Sequence, residues 1–338
     1  MRSARPRSTW TRPRTPTWAP STTCCGPRKP SSSRSSVSDN STPPAPDSDA
    51  VADPPEGQAA AAEPANGKAG RNLPVAIGVG VALGLVVLAS LVTYKWLFAV
   101  IAVIGVGIGL SELIGAFREA GIRIARTPLY VGLVAMAPMA YLYGLIGQTM
   151  VFGLMVISAL IWRIRRGTDG YVKDVTATVF AAAYLPFMMG FTMLMLAAPL
   201  GPQLIIVFVC LTISNDIGGY AAGVLFGKHP IAPQVSPKKS WEGLAGSAIL
   251  QSAIGAWLFV WLLDAHWWQG VVAGLVMTVT ATAGDFAESA IKRDLGVKDM
   301  GTILPGHGGV MDRLDSLVPN AFVAWLLFSI FGLVPMVT

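Results

Sequence analysis

Residues 73–93 read LPVAIGVGVALGLVVLASLVT, a run without a single charged side chain. The hydrocarbon core of a bilayer takes about 20 apolar residues wound as a helix. This stretch therefore predicts a membrane span, and the rest of the chain repeats it. Spans are read at 73–93, 96–116, 128–146, 148–163, 174–198, 202–226, 243–263, 268–290 and 316–336, with the third and fourth joined at Gly147-Gln148. Composition agrees: 53% of residues are hydrophobic and 13% charged, whereas soluble chains carry about 25% charged residues. The fold class expected is an all-α polytopic integral membrane protein with about nine transmembrane helices.

Charge placement orients those spans. Segments 117–127, 163–173, 227–242 and 291–315 contain Arg118, Arg123, Arg126, Arg163, Arg165, Arg166, Lys173, Lys228, Lys238, Lys239, Lys292, Arg293, Lys298 and Arg313. The alternate turns, near 94–95, 147, 199–201 and 264–267, contain only Lys95. Positive residues gather on the cytoplasmic side. The expected topology has the N-terminus in the cytoplasm and the C-terminus outside, and an odd number of crossings satisfies it.

Several function classes recede on the same grounds. The net charge of +6 does not point to nucleic acid, because much of it lies in residues 1–72. That Arg/Pro/Ser/Ala-rich tail has almost no aliphatic clustering and is expected to be disordered. It lacks the apolar core of a signal peptide; loose contact with anionic membrane lipids through Arg2, Arg5, Arg7, Arg12 and Arg14 is one use for it. Cys24, Cys25 and Cys210 form no CxxC pair, and His229, His266 and His307 show no metal-ligand spacing. Gly78, Gly80, Gly84, Gly105, Gly107 and Gly109 read as close helix packing rather than a dinucleotide loop. Gly227-Lys228 is no phosphate-binding P-loop, since Ala222 and His229 stand where that motif needs glycine and Ser/Thr.

Four acids fall within or at the ends of spans: Glu112, Asp216, Asp285 and Glu288. A carboxylate at mid-bilayer costs about 3 kcal/mol on insertion scales, so each needs a partner or a wet cavity. For Glu112, pairing with a nearby arginine and a functional role are both open. Asp216 lies deeper, in Ser214-Asn215-Asp216-Ile217-Gly218-Gly219-Tyr220, where the glycines let another backbone approach.

The densest polar stretch is Ser289–Asp315. Asp285, Ser289 and Lys292 are spaced i, i+4, i+7 and share one helix face. Asp312 and Asp315, at i and i+3, share a face if the last helix begins there. Converging carboxylates with a hydroxyl suit a hard, oxygen-liganded cation, Mg²⁺ above all. Lys292, Arg293, Lys298 and Arg313 suit phosphate oxygens, and Pro305-Gly306-His307-Gly308-Gly309 can form an anion-binding nest of backbone N–H groups. On the same side, Ser236-Pro237-Lys238-Lys239-Ser240-Trp241-Glu242-Gly243 offers two lysines for a polyphosphate.

Together these motifs resemble the signature of the phosphatidate cytidylyltransferases (CDP-diglyceride synthases). Ser289, Ile291, Lys292, Arg293, Lys298, Asp299, Pro305, His307, Gly308, Gly309, Asp312, Arg313 and Asp315 fill every position of the family pattern, and the likeness covers residues 73–338. Two mild departures are Gly219, where many members carry alanine, and Ser240, where many carry threonine. The resemblance implies the reaction CTP plus phosphatidate to CDP-diacylglycerol plus pyrophosphate. It implies Asp285, Asp312 and Asp315 as metal carboxylates for Mg²⁺, with room for a second cation. Ser289 and Lys292 stand beside them in the catalytic group. Lys238, Lys239, Arg293, Lys298, Arg313, His307, Gly308 and Gly309 fall to substrate phosphates, and Asp216 is a further polar member. A homodimer stays open. The rival readings are a CTP-dependent lipid-alcohol kinase and a membrane transporter.

Overall fold

The computed structural model describes residues 73–165, 167–234, 236–297, 300–301 and 309–335. Residues 1–72, with their expected disorder, lie outside this set. So do Arg166, Lys298, Asp299 and the segment 302–308, which includes Pro305, His307 and Gly308; for Pro237 and Lys238 the backbone alone is described.

Within these bounds the protein is a helical membrane bundle. The helices are α1 (Leu73–Thr93), α2 (Lys95–Glu119), α3 (Arg126–Ile164), α4 (Tyr171–Ala182), α5 (Met188–Ala197), α6 (Gly201–Phe226), α7 (Trp241–Leu263), α8 (Trp267–Asp294), α9 (Met311–Leu314) and α10 (Leu317–Ile330). Seven helical segments among the described residues are long and apolar enough to cross a bilayer. Their outward faces carry large apolar side chains such as Val131, Val134, Leu154, Ile157 and Ile161. Their inward faces bury Leu129, Leu133, Met136 and Met155. Helices apolar on both faces suit a lipid surround.

The expected boundary between the third and fourth spans needs correction. The chain breaks at Gly144 (φ 61°, ψ −147°), not at Gly147-Gln148. Gly132 nevertheless packs directly on the Met155 side chain. In a straight helix those residues would be about 35 Å apart at 1.5 Å per residue, so α3 is a helical hairpin folded at Gly144. Only glycine adopts that backbone conformation readily. Two further boundaries differ. The span read at 174–198 is two α-helices joined by a π-helical turn, Ala183–Phe187, around Pro186. The span read at 316–336 runs from Met311 to Ile330. The all-α expectation also misses one small hairpin: β1 (Pro230–Ala232) pairs antiparallel with β2 (Ser236–Ser240).

The most extensive helix contacts are α6 with α7 and α7 with α8. Small residues make them so. Gly218 meets the backbone at Gly246 and Ser247, and Gly255 meets Gly270. In lipid, such close backbone approach supplies the packing that a hydrophobic drive supplies in water. Polar rungs add to this: Thr278 Oγ1 of α8 donates to Gln251 Oε1 of α7 at 2.6 Å, and Asn320 Nδ2 of α10 donates to Thr212 Oγ1 of α6 at 3.4 Å.

Candidate active site

The β1–β2 hairpin delivers the lysine loop to the helices. Ser240 ends β2 and caps α7, its Oγ accepting from Gly243 N at 3.1 Å. The cap fixes the chain direction, and Lys239, one residue earlier, turns inward to form an ion pair with Asp285 of α8. Asp216 of α6 joins them. Asp216, Lys239 and Asp285 line one cavity of about 240 Å³, whose walls include Gly219, Gly223, Gly243 and Thr282. The α6 glycines open this space, and Asn215 Nδ2 donates to Asp216 Oδ1 at 3.3 Å.

The second half of the site sits where α8 meets α9. Asp285, Ser289 and Lys292 lie on one stripe of the continuous helix α8. Lys292 Nζ reaches Asp312 Oδ1 at 2.5 Å and Glu288 Oε2 at 3.3 Å. Asp312 Oδ2 accepts from Gly309 N at 2.9 Å, which holds the carboxylate at the start of α9. Asp315 keeps helical backbone angles between α9 and α10, so Asp312 and Asp315 share a face as their spacing predicts. Gly284 lets this happen: its missing Cβ leaves room for the Asp315 carbonyl and Pro319. Asp315 is within electrostatic reach of Asp285 and Glu288, and Asp216 is within reach of Asp285, Lys239 and Arg313. The two halves are therefore continuous through Asp285.

Ser289 is half-buried on its stripe, while Arg293 and Arg313 are exposed. Arg163, counted with the cytoplasmic cations, is a buried clasp instead. Its Nε pairs with Asp174 Oδ2 at 2.7 Å, and its Nη1 donates to the Gly167 carbonyl at 2.8 Å.

Two neighbours of the site carry no site role in the sequence reading, which names Glu288 only as an acid at the end of a span. Glu288 is only 1% exposed and shares Lys292; its place one turn before Lys292 and three residues after Asp285 is a legible signal. Tyr184 hangs from the π-helical turn, its hydroxyl buried without a hydrogen-bond partner and within electrostatic reach of Glu288, Asp315 and Asp285.

The site's donors are carboxylate oxygens, the set a hard divalent cation takes. Glu288 Oε1 is buried without a hydrogen-bond partner, an open lone pair in an acidic cluster. Among the described residues, however, no three His, Cys, Asp or Glu side chains form a closed ligand group. Lys239 and Lys292 engage Asp285 and Asp312 instead. The donors fit a cation in kind, with two ammonium groups balancing their charge.

Fold and site define a class: a polytopic helical membrane protein with a cluster of carboxylates and lysines among its helices. Residues 74–331 match the model of the Cytidylyltransferase family, and the chain belongs to that family. It is a nucleotidyltransferase. The chain is 39% identical over 276 residues to a phosphatidate cytidylyltransferase of Mycobacterium bovis, covering 78% of this chain and 90% of that one. The protein of the same name from Mycobacterium leprae is 38% identical over 279 residues, covering 78% and 89%. One from Brucella suis is 37% identical over 134 residues, 40% of this chain and 50% of its own.

Proposed function

We propose that the protein transfers the cytidylyl group of CTP to phosphatidate, giving CDP-diacylglycerol and pyrophosphate for phospholipid synthesis. One observation carries this reading: Lys239 and Lys292 stand against Asp285 and Asp312 at the mouth of an apolar bundle. A lipid phosphate anchored in the bilayer and a nucleotide from water meet only at such a boundary.

A phosphate oxygen of phosphatidate attacks the α-phosphorus of CTP. The new P–O bond forms as the bond from the α-phosphorus to the oxygen bridging it to the β-phosphate breaks, and pyrophosphate leaves with that electron pair. Two anions must approach, so fixed cations lower the barrier. Lys239 and Lys292 supply that charge, and Arg313 and Arg293 stand at the exposed rim. Asp285, Asp312 and Asp315, with Glu288 beside them, would hold Mg²⁺. When bound, the cation would offset phosphate repulsion and polarise the phosphoryl oxygens. Asp216 extends the polar wall of the cavity beside Lys239 and Asp285.

Nine crossings fit the bundle, counting α1 and both arms of the α3 hairpin. The positive-inside rule then places the N-terminus and the site on the cytoplasmic side of the cell membrane and the C-terminus outside. Exposed Trp257, Trp261, Trp267 and Trp268 mark the other membrane interface.

Product analysis tests the reaction. Purified protein given CTP, phosphatidate and Mg²⁺ should release pyrophosphate in step with lipid-bound cytidine, and excess chelator should stop both until Mg²⁺ is restored. Release of CDP with a newly phosphorylated lipid, when a lipid alcohol is supplied beside phosphatidate, would favour the kinase reading instead.

A further inference from the structure

Glu112 is an acid inside an apolar helix that the reaction as drawn does not use. It is 6% exposed, between the fully buried Leu110 and Leu113. Its Oε2 accepts from Met311 N at 2.8 Å across 199 residues of sequence. Met311 is the first residue of α9, and its side chain is fully buried. Gly301 and Gly309 lie side by side against the same carboxylate. A Cβ on Gly309 would stand 2.7 Å from Glu112 Oε2 and 2.9 Å from Gly301 N, and one on Gly301 would run into the Glu112 carboxyl carbon. One turn earlier on α2, Gly109 packs on Leu314 and Met311. The face of α2 that carries Glu112 is thus the seat of α9.

The next residue after Met311 is Asp312. It takes the Gly309 N–H on one oxygen and the Lys292 ammonium on the other. A carboxylate buried this deep is costly unless its contacts are fixed. Among the described residues, the carboxylate meets backbone that leads into the site: the Met311 amide, Gly301 and Gly309. An acid kept only for packing would be replaceable by an apolar side chain at no cost to catalysis.

We propose that Glu112 is a positioning residue for cytidylyl transfer. From within α2 its carboxylate holds the first amide of α9 and the paired Gly301 and Gly309 backbones, and so sets Asp312 against Lys292. The inference rests on the cytidylyl-transfer reading above.

The test compares full-length, detergent-purified wild type with Glu112→Ala, Glu112→Gln and Gly301→Ala. The readouts are kcat and KM for CTP, from transfer of α-labelled CTP to phosphatidate, and thermal unfolding in the same detergent. Misplacing a reacting group by about 1 Å costs roughly 100-fold in rate. Glu112→Ala should lose kcat on that scale per folded molecule. Glu112→Gln keeps an acceptor for the Met311 N–H and should return to within about tenfold of wild type. Gly301→Ala pushes the carboxylate from its seat and should reproduce the alanine loss, which decides the matter if Glu112→Ala does not fold. Wild-type kcat and KM in both Glu112→Ala and Gly301→Ala would overturn the proposal. So would a folded Glu112→Gln as inactive as Glu112→Ala, because the charge itself would then be in use. Wild type that labels no lipid would overturn the reaction and the inference together; labelled wild type with unaffected variants overturns the inference alone.

Discussion

Asp285 has two neighbours that no helical spacing reveals. Lys239 reaches it from the hairpin, 46 residues away in sequence, and Asp216 faces it across the cavity. The stripe Asp285–Ser289–Lys292 was legible, because residues three or four apart on a helix must share a face. The Asp312–Asp315 face was legible for the same reason. Cross-element pairs such as Lys239 with Asp285 and Lys292 with Asp312 depend on packing between helices, which one-dimensional periodicity does not encode. Glu112 shows the same limit: the sequence suggests a nearby arginine as one partner, and its carboxylate instead accepts from a backbone amide 199 residues away. At this scale, Asp285→Asn and Asp312→Asn should each lower CDP-diacylglycerol formation by roughly 100- to 1,000-fold while the protein still inserts. Assay of purified variants at saturating Mg²⁺ checks this, and near-normal rates would remove these carboxylates from the site. Lys239→Met should weaken CTP use, read as a higher KM or lower kcat, without loss of thermal stability comparable to a core change.

The elements follow from small residues and one clasp. Gly218 and Gly246 bring α6 and α7 into backbone contact, and a side chain at Gly246 would strike Ala222. Gly246→Leu should therefore separate α6, which carries Asp216, from α7, at whose start β2 presents Lys239. Its expected signature is a lower unfolding temperature together with lost activity. The general role of such glycines was readable from their density, but their pairing was not. The hairpin turn at Gly144 and the π-helical turn at Pro186 were also unreadable as such, since hydropathy reports length and polarity rather than backbone path. At the far end of the loop 165–170, Arg163 and Asp174 are both 4% exposed. Breaking one partner of a buried ion pair costs about 3–5 kcal/mol, so Arg163→Met should lower stability on that scale. Thermal unfolding in detergent measures it, and an unchanged midpoint would mean that the clasp is dispensable.

For the whole molecule, sequence reading captured the helical membrane character, and the bias of charge between alternate turns carries the proposed orientation. Those properties come from composition and from charge bias, both of which are linear in the chain. The α3 hairpin has two arms where a straight 39-residue helix would have one, which the proposed nine crossings require. The proposed topology puts Arg293 and Asp264 on opposite sides of the membrane. Single cysteines at these two positions, in a background with the native cysteines replaced, should react with an impermeant thiol reagent from opposite faces of sealed vesicles. Labelling of both from one face would break the proposed orientation.

The central claim is that this bundle joins cytidylyl from CTP to the phosphate of phosphatidate through the site built on Asp285, Lys292 and Asp312. The most direct test gives purified protein phosphatidate and Mg²⁺ with CTP labelled at either its α- or its γ-phosphate. The account predicts α-label in the lipid and γ-label in pyrophosphate, with both lost in Asp312→Asn. Lipid labelled from the γ-phosphate, or α-label transferred equally well by Asp312→Asn, would contradict it.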